Sequence, residues 1–277
     1  MNMAADAGRE LRHELGRLVT AWPTLWRVAA ADMLAYRAEM VIWILSATMP
    51  LVMLALWDAA SAEGPLEGFG QADFARYFAV TLVVRQLTGA WIVWELNYNI
   101  RQGGLSPQLL RPLNPLWFNL ASTLAALPWR MLVLAPLLVG LWWWRPDVWF
   151  WPEPGRLAAF ALSVFLAFLL SWLVQCLMGL LAFWFEQSLG FFSVYFAVWA
   201  LSSGYVVPLA LLPAWLRGAF AWLPFYGTLG APVGILTGAE SSPGGALLVQ
   251  LGWVAALALA TVFTWKRGIV RYGAVGA

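Results

Sequence analysis

The chain has 277 residues, 62% of them hydrophobic and 11% charged, with 20 tryptophans. A soluble domain carries about 25% charged residues, so disorder, a coiled coil and an extended nucleic-acid surface are all excluded. A net charge of +2, from 16 basic against 14 acidic residues, is too near balance for a polyanion binder, and no nucleic-acid partner is expected. One cysteine and one histidine provide neither an intrachain disulfide nor a Cys/His metal or catalytic cluster.

In chain order, residues 9–37 form an amphipathic stretch in which Leu11, Leu15, Leu18, Trp22, Leu25, Trp26, Ala29 and Met33 recur at helical spacing between charged residues. Such a helix lies in the membrane interface, and Pro23 is expected to bend it. Apolar runs long enough to cross about 30 Å of hydrocarbon then follow. They place six spans at about 38–58, 74–96, 115–144, 157–185, 187–208 and 246–265. Tryptophans such as Trp57, Trp94, Trp117, Trp142 to Trp144, Trp184, Trp215 and Trp265 fall near the proposed ends, as an aromatic belt requires. Between the fifth and sixth spans, residues 209–239 are apolar but interrupted by Pro224, Gly227, Gly230, Pro232 and Gly234. That many breakers predict an external re-entrant or interfacial helical segment rather than a straight span. The expected fold class is an all-α polytopic membrane protein forming one permease-like domain over residues 1–277.

Ten of the 16 basic residues lie in the N-terminal arm, in the loop after the second span and in the tail. The loop after the first span is acidic, with Asp58, Glu63, Glu67 and Asp73. The positive-inside rule therefore predicts cytoplasmic termini. A cleavable signal is not expected, because the first long apolar run begins only at Met40.

Reactive residues are few. A phosphate-binding loop needs Gly-Lys-Ser/Thr, and the single lysine, Lys266, sits between Trp265 and Arg267. No cofactor site is expected in this chain. His13 reads as part of a solvated helix face and Cys176 as an apolar filler. No hydrolase motif occurs, so transport or scaffolding is left rather than enzymatic activity.

Two features rise above this background. Arg85 and Arg130 fall near the middle of their spans without an acid at similar depth, and an intramembrane cation costs at least about 2.5 kcal/mol on insertion scales. With Gln175 they are candidates for a polar translocation pathway. The competing structural reading has the arginines bonding to carbonyls freed near Pro128, or to Gln175 and Ser171. The second feature is the loop 99–113. Gly103 and Gly104 break the preceding helix, Ser106 can cap a new one with Pro107 in its first turn, and Pro112 ends it after Arg111. Leu109 and Leu110 then form an apolar ridge exposed unless a partner covers it.

Here the sequence resembles a known family. Ile100-Arg101-x-Gly103-x-Leu105 followed by Leu109-Leu110-Arg111-Pro112-Leu113 is similar to the segment after the second span in ABC-2 type transporter permeases. Gly204-x-x-x-Pro208, Leu212-Pro213-x-Trp215-Leu216, Leu223-Pro224-Phe225 and Pro232-x-x-x-x-x-Gly238 resemble the family's external Pro/Gly-rich region, and Trp265-Lys266-Arg267-Gly268-x-x-Arg271-Tyr272-Gly273 its tail. The resemblance covers the chain from about Ala30 onward. It implies a non-catalytic permease of a bacterial inner membrane, paired with a second or paralogous permease and with separate ATPase subunits that bind ATP and Mg²⁺. Arg101, Gly103, Leu105, Ser106, Leu109, Leu110 and Arg111 would form the coupling helix, residues 9–37 the connecting helix, and the cargo would be a hydrophobic or amphiphilic compound moved outward. The alternative is an ATPase-independent carrier or a scaffold subunit of a membrane enzyme. A carrier is disfavoured because Glu39, Glu95 and Glu186 lie near span ends rather than at mid-depth.

Overall fold

The computed structural model describes residues 3–35 and 48–275. Every described element is helical, apart from an isolated β-bridge between Leu66 and Phe69. In order these are α1 (Met3–Ala35), α2 (Met49–Ala60), α3 (Gln71–Thr88), α4 (Ile92–Arg101), α5 (Leu105–Leu109), α6 (Pro115–Ala125) and α7 (Leu127–Trp144). They continue as α8 (Pro154–Leu180), α9 (Ser188–Ser202), α10 (Ala214–Ala221), α11 (Pro224–Thr228), α12 (Gly230–Thr237) and α13 (Pro243–Val275). Proline opens several of them, at Pro50, Pro115, Pro154 and Pro224, where its missing amide costs nothing. Asn114 completes one such start by accepting a hydrogen bond from the Leu116 amide at 2.9 Å.

Four helical stretches are long and apolar enough to cross a membrane: Gln71–Arg101, Pro115–Trp144, Pro154–Phe183 and Pro243–Tyr272. Their positions in the bundle differ. The first is 72% buried and forms its centre, whereas the last is only 11% buried and leaves most of its surface for lipid.

Several expected boundaries are corrected. The second span is two helices, α3 and α4, interrupted at Gly89–Trp91, and the third is α6 and α7, interrupted at Ala126. The expected fifth span, 187–208, holds a helix of only 15 residues, about 22 Å at helical rise, because the backbone turns at Gly204 with φ of 88°. The sixth helix instead runs past residue 265 to Val275. Of the first expected span, residues 38–47 lie outside the described residues, and Met49–Ala60 is a 12-residue apolar helix. Helix α1 runs through Pro23 without interruption.

Packing follows the apolar faces. On α1, Leu18, Trp22, Leu25, Trp26 and Ala29 turn inward while Arg17, Thr20, Thr24 and Arg27 stay exposed, and the helix lies against α6. Around α3 a core forms from Leu54, Phe74, Phe78, Val84, Trp199, Leu229 and Val233. Residues 209–239 are not one helix but a turn and three short helices, of which α12 is buried from Gly230 to Ile235 against α3 and α8. A buried clasp joins α8, α11 and α13: Gln250 donates to the carbonyls of Ser163 (3.1 Å) and Gly227 (2.7 Å) and accepts from the Ser163 hydroxyl (2.9 Å). Cys176 is fully buried in the apolar cluster beneath α4.

Candidate functional site

Interrupting a helix in the bundle centre frees carbonyls that must find donors. At Gly89–Trp91 the side chains singled out in the sequence supply them. Arg130, 9% exposed in the first turn of α7, donates through Nη1 to the Gly89 carbonyl and, at 3.5 Å, to the Gln86 carbonyl. Gln175 on α8 donates through Nε2 to the Ala90 carbonyl. The carbonyls that hold Arg130 therefore belong to the second span and not to the neighbourhood of Pro128. Gln175 serves the same interruption rather than a guanidinium.

Arg85 is placed differently. Its guanidinium lies over the Trp199 ring at 4.8 Å from the centroid and beside Tyr205 at 5.9 Å. Its Nε is buried without a hydrogen-bond partner among the described residues. Arg85 and Arg130 are near enough for their charges to oppose one another. Arg85 also belongs to a polar stripe with Tyr77 and Thr81, each one turn from the next. Tyr77 donates to the Gly204 carbonyl at 2.7 Å, so the stripe faces the turn that follows α9. The hydroxyls of Thr81 and Ser203 are likewise buried without a partner among the described residues.

From Trp199 a ladder of rings runs along α9 to α4. Trp199 stacks on Phe196 at 5.4 Å, Phe196 meets Phe192 at 6.4 Å, and Phe192 meets Trp94 at 4.9 Å. Trp94 then meets Trp91 at 5.2 Å, and Trp91, Trp94 and Phe196 all reach the surface.

At the far end of α4, Gly103 adopts φ of 77° and reverses the chain into α5. Gly104, not Ser106, occupies the N-cap position. Ser106 lies inside the first turn, and its hydroxyl shares a 2.8 Å hydrogen bond with that of Tyr272 on α13. Leu105 is fully buried and clusters with Ile100, Leu180 and Phe183, while Leu109 is 36% and Leu110 88% exposed. Arg101 and Arg111 are exposed, and Arg101 donates to the Phe185 carbonyl at 3.4 Å. Between α1 and the α5–α6 connection lies a pocket of about 440 Å³ lined by Leu25, Val28, Arg111, Pro112 and Phe118.

The opposite end carries the polar loops. A cavity of about 500 Å³ there is lined by Tyr77, Arg217, Tyr226 and Glu240, and the Tyr226 hydroxyl donates to Glu240 at 2.7 Å. Arg145 bridges Asp58 at 2.6 Å and Asp147 at 2.7 Å. The Arg145 guanidinium holds the Asp147 carboxyl below its ordinary value, and the hydrogen bonds it donates to both acids push the arginine up. No group of three His, Cys, Asp or Glu side chains among the described residues could hold a metal ion.

Sequence reasoning missed Thr81, Trp199, Ser203 and Tyr205, and it placed Tyr272 only in the tail motif, without a partner. The four-residue spacing of Tyr77, Thr81 and Arg85 is a readable stripe; the others meet their partners only through tertiary packing.

A comparison with curated proteins finds no match. The family model described as ABC-2 family transporter protein matches residues 44–276, which takes in all of α2 to α13. Together with the long apolar helices, this match assigns the chain to the ABC-2 transporter family, as a multi-pass membrane permease: a transport component of a system that includes ATPase subunits.

Proposed function

We propose that the chain is a six-span permease of a bacterial inner membrane, with cytoplasmic termini, exporting a hydrophobic or amphiphilic compound. Separate ATPase subunits, carrying the ATP and Mg²⁺, dock on α5, and a second permease copy or a paralogue completes the pathway. Residues 209–239 dip back into the membrane from the external side. The observation that supports ATPase docking best is the two-sided character of α5. Leu110 and Leu109 project outward, whereas Leu105 is rooted among Ile100, Leu180 and Phe183. A helix built this way passes a push on its outer ridge directly to the ends of α4, α8 and α13. The Ser106–Tyr272 hydrogen bond ties it further to α13.

Arg85 and the ring ladder line the pathway in this reading. Arg130 and Gln175 hold open the interruption of the second span that gives the pathway its shape.

The experiment is affinity purification of the tagged permease from its native membrane. The wild-type chain brings down a P-loop ATPase, and the double variant Leu109→Asp, Leu110→Asp loses it while keeping its own elution volume, because carboxylates facing an apolar groove lack partners. An ATPase that stays bound to the double variant, or no ATPase with the wild type, overturns the docking reading.

A further inference from the structure

We infer that the cargo is an anionic amphiphile with a planar or aromatic body, whose acidic group is recognised by Arg85, Thr81 and Ser203. The inference rests on the pathway reading above and adds the chemical class of the substrate.

The charge count carries the argument. Arg130 is engaged by neutral carbonyls only, and Arg85 by the faces of Trp199 and Tyr205. Ring faces attract a guanidinium but leave its charge uncompensated. No described carboxylate forms an ion pair with either arginine. Glu95, the nearest acid along the chain, lies on the exposed face of α4, beyond the interruption at Gly89–Trp91. Two like charges at membrane depth are costly and call for an anion.

Three donors wait for it. The Arg85 Nε and the hydroxyls of Thr81 and Ser203 are all buried without a partner among the described residues. Their spacing places Thr81 and Arg85 on the stripe that faces residues 199–205, where Ser203 lies. A carboxylate, sulfonate or phosphate ester accepts from all three, and charge-assisted hydrogen bonds of this kind are the strong ones. The body of the ligand then follows the rings Trp199, Phe196, Phe192 and Trp94, whose contacts continue from the arginine to the bundle surface.

The test reads binding on the full-length permease in nanodiscs of phosphatidylcholine, without nucleotide. Three probes share one body: pyrenebutyrate, pyrenebutanol and a pyrenebutyl trimethylammonium, followed by energy transfer from tryptophan to pyrene. The wild type binds the anion about tenfold or more tighter than the alcohol, the margin of one charge-assisted interaction, and the cation weakest. Arg85→Met levels the three affinities, Arg85→Lys keeps part of the preference, and Thr81→Val reduces it while leaving the alcohol unchanged. Equal affinities in the wild type, or a preference for the anion that survives both Arg85→Met and Thr81→Val, overturn the inference. If Arg85→Met does not fold, the Thr81→Val and Arg85→Lys comparisons decide it. Phosphatidylglycerol added to the nanodiscs leaves pyrenebutyrate binding unchanged when the site is for cargo. Competition by that lipid overturns the cargo assignment in favour of a resident lipid. These readouts need no ATPase, so a flat probe series removes the anionic class alone, and a failed copurification removes ATPase docking alone.

Discussion

Gln175 and Arg130 do similar work at very different electrostatic expense. Gln175 is neutral, so replacing it with Leu orphans the Ala90 carbonyl and relieves no charge. That change lowers stability by about 1–3 kcal/mol, the cost of a buried unsatisfied polar group, measurable by unfolding titration of the purified permease. Arg130 reaches both carbonyls through a single nitrogen, Nη1, at the end of a largely buried side chain. Arg130→Met removes the donor and leaves both carbonyls unpaired, so it too is destabilising by about 1–3 kcal/mol, and a methionine variant as stable as the wild type would contradict the bridging role. Both residues stood out in the sequence as polar groups at membrane depth, and their partners did not. The sequence read residues 74–96 as one span, and both its break at Gly89–Trp91 and the side chain from a distant span that fills it depend on helix rotation and tilt. No local pattern encodes those.

Close approach between helices decides the next level. Where α4 crosses α8, a Cβ built on Gly179 would lie 2.8 Å from the Leu96 Cβ and 3.4 Å from the Val93 Cα. Neither atom is the free end of a side chain, so the helices must separate. Gly179→Ala is expected to cost about 1–3 kcal/mol as overpacking, whereas Gly140→Ala, with nothing within 4 Å, should gain slightly from helix propensity. Paired melting curves check both, and equal curves would refute the tight crossing. The α5 element is two-sided in the same sense. Tyr272→Phe removes the hydroxyl that meets Ser106 without changing the ring packed on Phe183. We expect it to leave ATPase copurification intact and to weaken substrate stimulation of ATP hydrolysis in the reconstituted complex. Glycine breaks and proline stops announced a short helix near residue 105 from the sequence alone. The burial of Leu105 beneath α8 and α13, and the bond from Ser106 to the tail, became visible only in three dimensions.

Across the whole molecule, the polar loops at the end opposite α5 are tied together by Arg145. It joins Asp58 at the end of α2 to Asp147, whose backbone carbonyl also accepts from Arg76 at 3.0 Å. Because the fold holds the Asp147 carboxyl below its ordinary value of 3.8, its contribution is fully present above that value. Acidification removes it as pH falls through the lower folded value. Wild-type thermal stability should thus drop as the pH is taken below about 3.8 by a small increment that Asp147→Asn lacks, because exposed ion pairs contribute only about 1 kcal/mol or less. A variant with the same acid dependence as the wild type would place the titration elsewhere.

The sequence by itself determined the solvent, the helical class and the absence of a nucleotide-binding lysine loop, because these follow from composition and from runs long enough to satisfy every backbone amide internally. It also marked the rare polar residues, since charge in hydrocarbon is conspicuous wherever it falls. Tertiary structure alone decided where the second and third spans break, which donors close the second, and that Arg85 rests on Trp199 while Arg130 holds the backbone. The reason is physical. Hydropathy reports how much apolar surface a segment presents, whereas helix rotation, close crossings and freed carbonyls are resolved by neighbours far away in the chain.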